Sequence, residues 1–399
     1  MITTLLKPSR PIFFLSSLTA TFSVVSIKID TPPSYLALYF SYIVLLDVPF
    51  WLKLCGRIFI PIKIGSVSLS LFFFIQFVIY ASIVTLIGGG DLLLLIIKEL
   101  WFLLLTIYFY YGINAYGIRY YIVGAIINVC FAIYQFIADV FMGLPSEFYD
   151  LSGHYFWNGV SVAHSYFFPI ARYAGLALEP AYLSAYIFPL LFVPLSRFEK
   201  LLICLGLVLC FSWVTMIALL MLLCYRTFRL MSLEKYCFLA STFLIVSVVY
   251  AYSDKLIFIY GTFFDRLAAI VVFKNYNLID MVFGVGFHNF VLFGWEYYNV
   301  SDVLYSARNF GTLEAVDPTG SLSLYGSLLT ELGIAGFALF TYLQDRIYQS
   351  TIFKNACIIF LFSNLTVSFS TSWPNIPFMV AFFLVYSGNG RDSSQRLKI

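Results

Sequence analysis

The chain has 399 residues, of which 61% are hydrophobic and 11% charged, with a formal net charge of +3. A soluble domain carries about a quarter charged residues, so the composition reads as an integral membrane protein. The small net charge says little about partners, and no nucleic acid is expected.

Apolar runs long enough to cross a bilayer, about 20 residues each or somewhat fewer, lie at 11–27, 35–52, 66–87, 92–112, 120–138, 181–196, 236–252, 322–344, 355–369 and 373–387. Lys7 and Arg10 precede the first run as in a signal sequence, but the many runs that follow favour a retained first helix. Two long connections interrupt the pattern, 139–180 and 253–321, and they hold all three histidines, His154, His164 and His288. Connections of that length are usually functional.

Lysine and arginine favour the cytoplasmic side. With the N-terminus inside, the inner segments hold sixteen of them, including Arg119, Arg197, Lys200 and Arg226. The outer segments hold Lys28, Arg172, Lys255, Arg266, Lys274 and Arg308, and all but Lys28 fall in the long loops. The apolar run 201–224 is basic on both flanks, so a hairpin of two short helices turning near Ser212 is preferred over one crossing. The expectation is an all-α polytopic membrane protein of about ten full transmembrane helices plus that hairpin, twelve segments in all, with both termini inside. It divides into N-terminal helices (1–138), a first outer loop (139–180), central helices (181–252) containing the hairpin, a second outer loop (253–321), C-terminal helices (322–387) and a cytoplasmic tail (388–399). The seven cysteines lie in apolar segments or short loops without a C-x-x-C spacing, so neither a disulfide framework nor a zinc site is predicted.

The chemistry concentrates first at Arg172-Tyr-Ala-Gly-Leu-Ala-Leu-Glu179-Pro180. Pro180 suits the first turn of a helix, where its missing N–H is no loss. Glu179 then stands at or next to the N-cap, where the helix dipole favours its charge. No G-x-x-x-x-G-K-[ST], D-x-D or H-E-x-x-H occurs, which points to a site without ATP, metal or other cofactor, in which arginines neutralise phosphate. Arg172 is the leading candidate for a phosphate ligand; the plainer readings have it snorkel to the headgroups or pair with Glu147 or Asp150. Glu179 could act as a general base on a sugar hydroxyl, or simply cap the helix.

Gly284-Val-Gly-Phe-His288 reads as a tight turn carrying a histidine, which is a base, a pyrophosphate ligand or simply an interfacial histidine. Arg266 sits beside Asp265, yet with Lys274 and Arg308 it could form a second cationic cluster. Glu331 lies inside the run 322–344, where carboxylates are costly; its plainer role is a contact near glycines that allow close packing. Lys98 and Glu99 point about 100° apart on a helix, so each needs its own partner. Asp47 is expected to be solvated near a cytoplasmic end.

Taken together, these segments resemble a known family. Arg172-x-x-Gly175-x-x-x-Glu179-Pro180 is similar to the R-x-x-G-x-x-x-E-P signature of O-antigen polymerases of the Wzy type. Phe211-Ser212 resembles a Thr-x-Ser-rich segment of that family, with Trp213 in place of its usual arginine. Met281-Val-Phe-Gly-Val-Gly-Phe resembles an n-P-l-f-G-v-G-f segment without the proline, and Leu328-Leu-Thr-Glu331-Leu-Gly-Ile-Ala-Gly336 resembles a late l-l-x-E-l-G-i-i-G helix. A histidine-asparagine pair common before that helix is absent; the region reads Asp317-Pro-Thr-Gly-Ser321, so His288 or Asp317 would take the role, or the role is not needed.

The resemblance implies a glycosyltransferase of the bacterial inner membrane in lipopolysaccharide or other polysaccharide biosynthesis. It would move a growing oligosaccharide from undecaprenyl diphosphate onto the next lipid-linked repeat unit at the outer face. Its partners would be that lipid-linked oligosaccharide, membrane lipid and a chain-length regulator protein. Arg172, Arg266 and Arg308 would bind the diphosphate, Glu179 or His288 would be the base, and Glu331 and Asp317 are secondary candidates. Loop aromatics such as Tyr149, Tyr155, Phe156, Trp157 and Tyr166 could stack on sugars. The alternatives are an O-antigen ligase using the same donor and a flippase or transporter of lipid-linked oligosaccharide.

Overall fold

A computed structural model of the chain describes residues 6–22, 41–58, 66–89, 92–143, 160–165, 168–177, 180–210, 223, 273, 276–286, 324–349 and 375–388. Within them the protein is mostly helical. Two stretches, Leu95–Tyr116 and Arg119–Val140, are long and apolar enough to cross a membrane.

Helix α1 (Arg10–Thr19) has a proline in its first turn and stops at Thr19, short of the end expected at 27; residues 23–27 lie outside the described residues. Hydroxyls crowd the helix ladder ahead of the stop. Ser16 and Thr19 donate to the carbonyls of Ile12 and Leu15, each at 2.8 Å, and Thr21 donates to Leu18 at 3.4 Å. Such back-bonding competes with the helix ladder.

The run expected at 35–52 is broken. A 3-10 turn (Ile43–Leu46) ends at Asp47, and α2 (Val48–Ile58) starts afresh. Pro49 is tolerated in the first turn of α2 but could not continue a helix from residue 45. Asp47 is also not solvated: it is 3% exposed. One of its carboxylate oxygens accepts the Ser9 N–H at 2.6 Å and the Tyr108 hydroxyl at 3.0 Å.

Helices α3 (Ser66–Ile87), α4 (Leu92–Tyr116) and α5 (Arg119–Val140) cover the next three apolar runs, with α4 extending four residues past its expected end. The first long loop departs from an all-α expectation. Strands β1 (Val160–Ser165) and β2 (Phe168–Tyr173) pair antiparallel, with Ser161 opposite Arg172 and Ser165 opposite Phe168. Val160, Val162, Phe168 and Ile170 recur at every second position, which suits a strand.

Helix α6 (Pro180–Ile187) opens on Pro180 as expected. It tightens into a 3-10 turn over Phe188–Phe192, where Pro189 removes an amide donor. Helix α7 (Arg197–Cys210) follows; the turn expected near Ser212 lies outside the described residues. The C-terminal part contributes α8 (Leu278–Phe283), α9 (Leu324–Gln349), broken at Gly333, and α10 (Asn375–Gly388). The runs at 236–252 and 355–369 also lie outside the described residues.

The larger core joins α1, α4, α5, α6, α7 and α10. Aromatic rings hold much of it: Tyr121 stacks on Phe378 with centroids 4.4 Å apart, and Phe50 meets Tyr108 edge to face at 5.2 Å. A second cluster, Phe77, Ala81, Val84, Leu95, Leu328 and Leu332, lies where α9 packs on α3.

Candidate functional site

The segment that carries Arg172 and leads to Glu179 is strapped to one face of α5. Tyr173 donates its hydroxyl to Asp139 at 2.7 Å. Two residues on, Gly175 uses both main-chain groups on one side chain: its N–H donates to Gln135 Oε1 at 2.8 Å, and its carbonyl accepts from Gln135 Nε2 at 3.1 Å. Leu176 then donates its N–H to Asn128 Oδ1 at 2.7 Å, and Asn128 Nδ2 donates to the Thr21 carbonyl beyond the end of α1, also at 2.7 Å. Asn128, Gln135 and Asp139 are spaced by seven and four residues, which places them on one stripe of the helix.

Asn128 and Gln135 are 0% and 1% exposed. Buried backbone without secondary-structure partners is costly, and these two carboxamides satisfy it at both of their ends. Gly175 has φ +64°, and a β-carbon there would lie 2.5 Å from the Asn128 carbonyl oxygen. Glycine is therefore required both by conformation and by space. In the sequence Gly175 stood out only as a motif letter, and Asn128, Gln135 and Asp139, which hold the segment from Tyr173 to Leu176, were missed. Their signal was present: polar side chains at helical spacing within a run apolar enough to cross a bilayer.

The second setting is built where α8 meets α9. Gly284, with φ +81°, ends α8 and begins a turn that lies against the break in α9 at Gly333, whose φ is +66°. Val285 donates its N–H to the Thr330 carbonyl at 3.4 Å and Gly286 to the Glu331 carbonyl at 2.9 Å. The Tyr80 hydroxyl, from α3, donates to the Leu332 carbonyl at 2.9 Å. These three carbonyls are the ones a helix break at Gly333 releases. Beside the turn lies an apolar groove of about 520 Å³, lined by Tyr80, Ile83, Val84, Ile87, Asp280 and Phe283 among others.

The fold therefore brings together two of the motif segments, 281–286 and 328–336. It places the Arg172 segment in the larger core, through Tyr173 and Ala177, apart from the smaller cluster that holds Leu328 and Leu332. Arg172 lies in β2, next to the anchored Tyr173. Glu331 is half-buried at the end of the first half of α9. Glu179, His288, Arg266, Arg308 and Asp317 lie outside the described residues, as do Tyr149, Tyr155, Phe156, Trp157 and Tyr166.

One electrostatic pair orders the opposite end of α5. Arg119 forms a salt bridge with Glu199 in the first turn of α7. Glu199 also accepts from the Ser196 N–H and hydroxyl, both at 2.9 Å, and donates its own N–H back to that hydroxyl at 3.3 Å. This is a capping box. Burial alone would raise the Glu199 pKa, but the Ser196 bonds and the Arg119 guanidinium outweigh it and hold the carboxylate below its ordinary 4.5. Lys98 and Glu99, on α4, are half-buried and buried respectively.

No protein-family model matches the chain, and no curated protein matches it.

Proposed function

We propose that this protein is a polysaccharide polymerase of the bacterial inner membrane, a multi-pass glycosyltransferase with both termini in the cytoplasm. It transfers a growing oligosaccharide from undecaprenyl diphosphate to the next lipid-linked repeat unit at the outer face. The leaving diphosphate is already activated, so neither ATP nor metal is required. Arg172, with Arg266 and Arg308, stabilises the negative charge that grows on the diphosphate as the glycosidic bond breaks. Glu179 or His288 removes the proton of the attacking hydroxyl.

The observation that carries this reading is the meeting of Met281–Gly286 with Leu328–Gly336. These two segments, far apart in the chain, were singled out for the same resemblance, and their glycines are the residues that touch. Gly175 supports it further, because the glycine of Arg172-x-x-Gly175-x-x-x-Glu179-Pro180 is sterically demanded where it stands. The Arg119–Glu199 bridge supports the orientation, since it sets the basic starts of α5 and α7 side by side.

The test is a purified reaction with a defined lipid-linked repeat unit. Wild-type protein is expected to build multi-repeat products. Arg172→Ala and Glu179→Ala are each expected to abolish extension while remaining in the membrane, and wild-type polymer length from either overturns the site assignment. In cells, deletion is expected to leave single-repeat chains. Long chains left on undecaprenyl diphosphate with none on lipid A would instead indicate a ligase, and accumulation of unflipped repeat units in the cytoplasmic leaflet would indicate a flippase.

A further inference from the structure

In an unbroken helix the Leu332 carbonyl would accept the amide of Gly336, four residues on. In α9 the Tyr80 hydroxyl stands in that place. It donates to the Leu332 carbonyl at 2.9 Å, and the Gly336 backbone is its other hydrogen-bond partner within α9. A side chain inserted into the ladder is a recognised cause of a sharp kink. A β-carbon on Gly336 would lie 2.8 Å from the Tyr80 ring, so that glycine makes room for the insertion. The same hydroxyl lies 3.4 Å from the carbonyl of Phe283, the residue before Gly284. One oxygen from α3 thus faces both motif segments.

We propose that Tyr80 is a positioning residue of the transfer site, a latch that keeps α9 broken. Glycine at 333 is free to return to helical angles. With the hydroxyl gone, Leu332 and Gly336 can pair directly and α9 can straighten. Straightening turns the Glu331 carbonyl back toward the amide four residues on, and the Gly286 N–H loses its acceptor. The turn that leads on to His288 is then released. Tyr80 acts through the main chain of Glu331 and Gly286. The role in transfer rests on the polymerase reading above; the latch itself does not.

The test is residue-resolved amide exchange on the full chain in lipid nanodiscs, with transfer kinetics on the same preparations. In the wild type the Gly286 amide is expected to exchange slowly, and fast exchange there overturns the latch without any variant. Tyr80→Phe keeps the ring and removes one hydrogen bond, so exchange at Gly286 is expected to quicken about five- to tenfold. It should also lower kcat about tenfold or more through misplacement, with KM within about twofold. Unchanged exchange at Gly286 in Tyr80→Phe overturns the latch, and faster exchange with wild-type kcat overturns the positioning role. Faster exchange in a protein whose wild type builds no polymer supports the latch and overturns the polymerase reading.

Discussion

Gly333 approaches Gly284 so closely that a β-carbon built on it would lie 2.5 Å from the Gly284 amide nitrogen. Gly284 is crowded in turn by the backbone just before Gly333: a β-carbon on it would lie 2.5 Å from the Leu332 nitrogen. Both residues have positive φ. Alanine at either position therefore meets strain and a clash together. Gly284→Ala and Gly333→Ala are each expected to cost at least about 2 kcal/mol of stability and to shorten the polymer sharply. Thermal unfolding in detergent and product-length analysis check this, with Gly89→Ala as a control for φ alone, since nothing lies within 4 Å of a β-carbon there.

Gln135 separates two effects that act on one turn. Gln135→Leu leaves the buried N–H and carbonyl of Gly175 without their partner, at about 1–3 kcal/mol for each group. Gln135→Glu keeps an acceptor for the N–H but turns a carboxylate oxygen toward the Gly175 carbonyl. Both variants are expected to lose chain extension while remaining in the membrane, and an unaltered polymer from Gln135→Leu would show that the strap does not position Arg172 and Glu179.

Asp47 ties the N-terminal arm to α4. Asp47→Leu strands the Ser9 N–H and the Tyr108 hydroxyl, and is expected to destabilise the fold by about 2–4 kcal/mol. Asp47→Asn keeps an acceptor oxygen and should cost less. A double-mutant cycle of Asp47→Leu with Tyr108→Phe, in which each single change removes the hydrogen bond, measures the pair, with a coupling of about 1 kcal/mol or more expected for contacting residues.

Glu199 predicts the direction of one pH effect. Its folded pKa lies below the ordinary 4.5, so its contribution is fully present above that value and is lost as pH falls through the folded pKa. Thermal stability should therefore drop below about pH 4.5, and Glu199→Gln should flatten that part of the profile. Because Arg119 is nearly half exposed, added salt should weaken only the part due to the bridge. A profile unchanged by Glu199→Gln would show that other carboxylates carry the acid loss.

Much of the helical layout was legible because it depends on long-range apolarity. The runs at 66–87 and 120–138 contain enough apolar side chains to need a helix wherever they are buried, and α3 and α5 cover them. Pro180 marked a helix start because a proline there gives up nothing. The breaks were harder to read. Pro49 and Pro189 sit where helices end or tighten, yet each lies inside an apolar run and was absorbed by it. Gly333 resembled any small residue in a helix. The short β-hairpin was hidden in a loop whose alternation spans only a few residues.

The sequence by itself determined the mostly helical character of the chain and where several of its apolar helices lie, because composition and periodicity are properties of the chain alone. It marked Gly175, Gly284 and Glu331 as residues to watch. Only the tertiary structure decided what they do. Gln135 holds Gly175, and Asn128 holds Leu176, from a helix more than 35 residues earlier in the chain, Tyr80 enters α9 from 252 residues away, and Asp47 is buried against Ser9 and Tyr108. A hydrogen bond depends on which groups meet in space, and a glycine becomes obligatory only when another backbone occupies the place of its side chain.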